Sequence, residues 1–218
     1  MNKVKCAVFD LDGTLVNTIT DLGRACDILL EKHGLNYKWS EEDYKKFVGD
    51  GAKKLVERAF ANALGKEKLE EIYAQFKPLY LSIMLDNAHA YNGIKEQLAT
   101  LKERGIKLAV VTNKPHEAAI NMVEHIFGKG FFDIILGAVD GLPTKPDPAG
   151  VFKALEIMNC KSGEAIYFGD SNVDMQTARN AGIKAIGVTW GFRSYEELRA
   201  EAPFAIIDKP EQITSLFQ

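Results

Sequence analysis

Short apolar runs alternate with amphipathic stretches along most of the chain. Runs at residues 5–9 (KCAVF), 107–111 (KLAVV), 133–136 (DIIL), 165–168 (AIYF) and 184–188 (KAIGV), with a weaker one at 205–207, are rich in β-branched residues. Runs this short, separated by helical patterns, predict buried parallel strands of an α/β fold. The intervening periodicity predicts helices over 94–104, 116–127, 149–158, 175–181 and 195–200, and Gly105 and Gly182 stand where helix C-caps belong. One region departs from this rhythm. Between about 18 and 87 no strand run occurs, yet Ile28, Leu29, Tyr44, Phe47, Val48, Leu55, Val56, Phe60, Leu69, Ile72, Phe76, Leu79 and Leu85 recur at the spacing of three or four helices. A segment of that length is too long for a loop in a compact domain. It reads as a helical domain, 17–87, inserted into an α/β core formed by 1–16 and 88–218, with hinges near 16–18 and 86–92.

Bulk properties narrow the class of partner. A chain of 218 residues, 46% hydrophobic and 26% charged, can bury one substantial core plus a small accessory domain. Its formal net charge of -3 provides neither a broad basic field for nucleic acid nor a polybasic membrane anchor. No run reaches membrane-spanning length and residues 1–5 carry no apolar leader, so a cytoplasmic protein, monomer or homodimer, is expected. Cys6, Cys26 and Cys160 form no CxxC pair and lie in apolar surroundings, which predicts three free buried thiols. His33, His89, His116 and His125 show no metal spacing; only His116 lies close to a candidate site segment.

Ligands of open parallel sheets bind beyond the carboxyl ends of the strands. Polar residues there form a coherent set: Asp10, Asp12 and Thr14 after the first run, Thr112 and Asn113 after the second, Lys145 in the loop after the third, and Asp170, Ser171 and Asp174 after the fourth. Asp12-Gly13 alone could be a hairpin turn, but a helical region follows it rather than a returning strand. The carboxylates suit an oxygen-seeking cation such as Mg2+ shared with a phosphoryl group. Asp10, Asp170 and the Asp12 backbone carbonyl are the expected metal ligands. Asp10 would attack phosphorus to form an aspartyl-phosphate. Asp12 would protonate the leaving alkoxide and then activate water. Thr112, Asn113 and Lys145 would bind the phosphoryl oxygens, assisted by backbone amides of residues 11–13. Asp174 would orient Lys145 or a metal-bound water, with Ser171 and Thr14 also behind the first ring of contacts.

The ordered segments DLDGTLV at 10–16, TN at 112–113, KP at 145–146 and GDSNVD at 169–174 resemble the haloacid dehalogenase-like superfamily in its phosphatase form. The resemblance spans essentially the whole chain. It implies a Rossmann-like core with a small helical cap inserted after the first strand and closing over the site. It also separates branches: the superfamily's dehalogenases lack the second aspartate of the first motif, which is Asp12 here. Phosphonoacetaldehyde-type members replace it too, and sugar mutases carry an Arg-containing cap loop not found in this sequence.

For the substrate, residues 48–60 (VGDGAKKLVERAF), TNKP at 112–115 and KPDP at 145–148 resemble bacterial phosphoglycolate phosphatases. A glycine pair opening a helix, Gly49 and Gly51, could receive a carboxylate on backbone amides, supplemented by Arg58 or Lys53. The sequence departs from that subgroup at Asn17-Thr18 and in placing Asp50 inside the glycine loop. The expectation is a Mg2+-dependent phosphatase of a small phosphorylated metabolite, 2-phosphoglycolate foremost. A broad-range nucleotidase or pyrophosphatase, a sugar-phosphate mutase and a non-enzymatic binding protein are the alternatives.

Overall fold

The structure, a computed structural model, describes residues 3–217; Met1, Asn2 and Gln218, which fall within the expected core domain, lie outside the described residues. The chain divides into two compact units, one formed up to Val16 and from Ala90 onward, the other by Asn17–His89. In chain order the elements begin with β1 (Cys6–Phe9) and β2 (Val16–Asn17). Four helices follow, α1 (Ile19–Lys32), α2 (Glu41–Phe47), α3 (Ala52–Ala59) and α4 (Lys66–Ile83). Next come β3 (His89–Ala90), α5 (Ile94–Glu103), β4 (Lys107–Pro115), α6 (His116–Phe127) and β5 (Ile134–Ala138). The chain then runs through α7 (Ala149–Ile157), β6 (Ala165–Gly169), α8 (Asn172–Asn180), β7 (Lys184–Val188), α9 (Tyr195–Ala200) and β8 (Ala205–Ile207).

The larger unit holds a parallel sheet in the order β5-β4-β1-β6-β7-β8. Because β1 continues outward to β4 on one side and β6 on the other, the strand order reverses there, which opens a crevice beyond its end. Register brings the strand ends level: Phe9 pairs with Val110 and with Phe168. The residues after each are therefore neighbours. All four residues of β1 are fully buried, as expected for a sheet covered on both faces. Alternation splits them: Cys6 and Val8 join Ala109, Val111, Ala165 and Tyr167 in a core completed by Val151 and Leu155 of α7 and Met175 and Ala178 of α8. From the other set, Phe9 stacks on Phe168 with ring centroids 4.8 Å apart. Gly105 and Gly182 follow α5 and α8 with φ of 75° and 66°, the C-capping conformation.

In the smaller unit each helix buries one stripe: Leu22, Cys26 and Leu29 of α1, Leu55 and Val56 of α3, and Leu69, Ile72, Phe76 and Tyr80 of α4. Ile28 departs from the expected core face and is exposed, since Leu29 takes the inward position. Buried Asp21 receives the N–H groups of Asn87 and Ala88, both at 3.0 Å, and the Asn87 amide at 2.8 Å, which ties the end of the unit back to α1.

The cysteine expectation is corrected. Cys6 and Cys160 are bonded as a disulfide, and only Cys26 is free and buried. The pair is separated by 154 residues, and it meets because the turn after α7 comes back beside the start of β1. No helix among the described residues is long and apolar enough to cross a membrane.

Candidate active site

The first motif is shaped by the Leu11 carbonyl, which accepts from the N–H groups of Thr14, Leu15 and Val16, while Gly13 N–H donates to the Val16 carbonyl. This turn needs glycine twice over. Gly13 has a φ of 92°, and a β-carbon on it would come within 2.3 Å of Asp170 Oδ2. Asp10, one residue beyond β1, is thereby held against Asp170, one residue beyond β6. Thr14 Oγ1 donates to Asp170 Oδ1 at 2.9 Å and Phe192 N–H donates to Oδ2 at 2.8 Å.

Asp10, Asp170 and Asp174 are all buried and offer carboxylate oxygens within 4.8 Å of one another. Burial first, and the neighbouring Asp174 carboxylate next, push Asp10 up to about 7; the same causes, in the same order, push Asp170 up to about 8. The pocket is thus short of positive charge. Lys145 supplies part of it, with Nζ 2.7 Å from Asp10 Oδ1 and 2.6 Å from Asp174 Oδ1. Burial works against the Lys145 ammonium, but the two carboxylates outweigh it and hold the group well above the ordinary lysine range. Apart from this ion pair, buried Asp10 Oδ1 has no hydrogen-bond donor. An all-oxygen set of buried carboxylates with one such oxygen fits a hard divalent cation.

Asp174 is engaged on both oxygens. Oδ1 accepts from Lys145 and from Tyr167 Oη at 3.1 Å, and Oδ2 accepts from Ser171 N–H at 3.0 Å and Ser171 Oγ at 2.5 Å. The Ser171–Asp174 pair is the capping box that starts α8. One carboxylate therefore both begins a helix and aims Lys145. Asn113 clamps the backbone of the same lysine: its Oδ1 accepts from Lys145 N–H at 2.8 Å and its Nδ2 donates to the Lys145 carbonyl at 3.1 Å. Thr112 is buried with its hydroxyl accepting from Lys114 N–H at 3.2 Å.

Asp12 stands apart from this cluster. Its Oδ1 lies 2.9 Å from the ammonium of Lys114. The two carboxylates of one motif thus have separate cations, Lys145 for Asp10 and Lys114 for Asp12. His116, by contrast, accepts the Gly137 N–H on its Nδ1 at 3.2 Å and serves the backbone. In the helical unit, Gly49 and Gly51 have φ of 123° and 89°, and Arg58 donates to the Phe47 carbonyl at 2.8 Å and to Asp50 Oδ2 at 2.6 Å. Lys53 is paired with Glu70.

Three participants escape a reading of the sequence. Lys114 and Tyr167 extend or sit inside strands, where polar atoms are read as edges or packing. The turn after β7 is the third: Trp190 Nε1 donates to the Thr14 carbonyl at 3.0 Å, and a β-carbon on Gly191 would meet Asp170 Cβ at 2.3 Å and the Gly13 carbonyl at 2.4 Å. Asp170 is pinned between two glycines from different strand ends. The strand-end rule that located the other segments applies equally to this one.

Comparison with known proteins agrees with this architecture. Residues 7–188 match the haloacid dehalogenase-like hydrolase family, and the chain belongs to that family. It is similar to phosphoglycolate phosphatases. That of Pseudomonas fluorescens is 31% identical over 209 residues, covering 94% of this chain and 76% of the relative. That of Aquifex aeolicus is 30% identical, covering 98% and 96%. A crystal structure of a Lactobacillus delbrueckii protein superposes with a TM-score of 0.94 at 32% identity over 99% of both chains. A haloacid dehalogenase-like family hydrolase from Streptococcus pneumoniae does so with 0.89 at 26% over the full length of both.

Proposed function

We propose that the protein is a cytoplasmic, Mg2+-dependent phosphomonoesterase acting through an aspartyl-phosphate on Asp10, with 2-phosphoglycolate as its substrate. The observation that carries this reading is the division of labour between two carboxylates two residues apart. Asp10 is one of three buried carboxylates that Lys145 neutralises only in part, whereas Asp12 is outside that cluster and paired with Lys114. Asp10, Asp170 and the Asp12 carbonyl would hold Mg2+, which when bound supplies the positive charge that lets a carboxylate approach a phosphate dianion.

An Asp10 carboxylate oxygen forms a bond to phosphorus as the ester P–O bond breaks, and the Asp12 carboxyl proton passes to the leaving alkoxide. Asp12 then takes a proton from water, whose oxygen attacks phosphorus and frees the Asp10 carboxylate. Ester and water become alcohol and phosphate, with both aspartates restored. Lys145 and Thr112 bind the phosphoryl oxygens whose charge grows during transfer. Asn113, Asp174 and Tyr167 fix Lys145, and Thr14 and Ser171 fix Asp170 and Asp174. The names of the similar enzymes support the substrate.

The test is phosphate release from 2-phosphoglycolate with Mg2+ and with EDTA. Turnover should need the metal and should vanish in Asp10→Asn while the variant stays folded. Metal-independent release, or substantial turnover by that variant, overturns the reading.

A further inference from the structure

Lys114 is a buried ammonium to which the chemistry above gives no task. Its side chain is 2% exposed, and a cation is costly to bury so deeply. It lies two residues beyond Thr112 on β4, with its N–H donated to the Thr112 hydroxyl. Lys145 is paired with Asp10 and Asp174 and so belongs to the phosphoryl side. Lys114 is paired with Asp12, the acid that must lie against the leaving oxygen. The two ammonium groups are therefore divided between the two ends of the scissile bond.

We propose that Lys114 is the specificity-determining cation of the site, receiving a carboxylate bonded directly to the ester carbon of the substrate. This rests on the phosphomonoesterase reading above and assigns that substrate's second charge to a residue. A group hydrogen-bonded to the leaving oxygen and a group bound to a carboxylate two bonds further along must be close neighbours, as Asp12 and Lys114 are at 2.9 Å. An ammonium is a compact charge with three donors, suited to a small anion whose orientation is set elsewhere. The rival cation, Arg58, is already paired with Asp50 and the Phe47 carbonyl, and Asp50 would repel a carboxylate.

The experiment compares kcat/KM for 2-phosphoglycolate and ethyl phosphate, which differ only in carboxylate against methyl. In the unaltered protein the ratio should be large. In Lys114→Gln it should fall at least tenfold, through KM for 2-phosphoglycolate, and Lys114→Arg should recover part of it. Equal losses on both substrates would confine Lys114 to holding Asp12 and overturn the proposal. A ratio near one in the unaltered protein would instead overturn 2-phosphoglycolate as substrate. Should Lys114→Gln fail to fold, 3-phosphooxypropanoate carries the test on the unaltered protein. Moving the carboxylate one carbon away should return the rate towards that of ethyl phosphate, and undiminished turnover overturns the proposal.

Discussion

Asp10 stands in surroundings built against its own charge. Burial and the facing carboxylates raise it to about 7, so a neutral amide of the same shape should sit there more comfortably than the acid. Asp10→Asn is therefore expected to move stability and activity in opposite directions. Without metal at pH 8 its melting temperature should exceed that of the unaltered protein, while phosphate release should drop by about 10⁴-fold or more. A lowered melting temperature would show that the pairing with Lys145 outweighs the repulsion. Asp12→Asn makes a different prediction, because Asp12 acts on protons in both half-reactions. Single-turnover measurements should show formation and hydrolysis of the phosphorylated intermediate each slowed, by about 10²- to 10⁴-fold. Slowing of one step alone would take away the dual role.

At the scale of elements, the site depends on turns that approach one another closely. Gly191→Ala would drive a methyl group into Asp170 Cβ and the Gly13 carbonyl. Overpacking of this kind costs about 1–3 kcal/mol. The larger effect should be on Mg2+ affinity, since the displaced group is an expected ligand. Calorimetric Mg2+ titration beside a thermal melt checks this, and an unchanged affinity would show that the turn is only packing. Ser171→Ala removes a cap whose loss costs about 1 kcal/mol. It also takes the hydroxyl donor from Asp174, so Lys145 should lose orientation and kcat should fall with the melting temperature. The strand ends themselves were largely legible, because apolar runs stop where the functional residues start. What escaped was chain whose polarity hid its structure. β4 continues through Thr112, Asn113 and Lys114 to Pro115, which pairs with Ala138, although the apolar run ends at Val111. α8 begins at Asn172 rather than Met175 because the capping box is made of polar residues that carry no helical periodicity. β2 and β3, two residues each, are too short to leave a pattern, and the Cys6–Cys160 bond depends on a meeting that chain spacing does not encode.

For the molecule as a whole, the raised carboxylates tie folding to pH and metal together. In the unfolded chain Asp10 and Asp170 titrate near 4; in the metal-free fold they titrate at about 7 and about 8. Between those limits the native state holds more protons than the unfolded state, so its stability falls as pH rises. The contribution is complete below the unfolded value and is lost as pH passes through the folded ones. Lys145 does not offset this slope, because a lysine held above its ordinary range is charged in both states throughout the window. Mg2+ bound to the ionised carboxylates replaces protons there and should reverse the trend. The gain in melting temperature on adding Mg2+ should therefore be small at pH 5.5 and grow steadily to pH 8. In Asp170→Asn, both the metal-free slope and the Mg2+ gain should flatten. Melting curves across that range, with Mg2+ and with EDTA, decide the matter. A gain independent of pH would mean that the cation binds away from these carboxylates, and would remove the electrostatic basis for placing Asp10 at its centre.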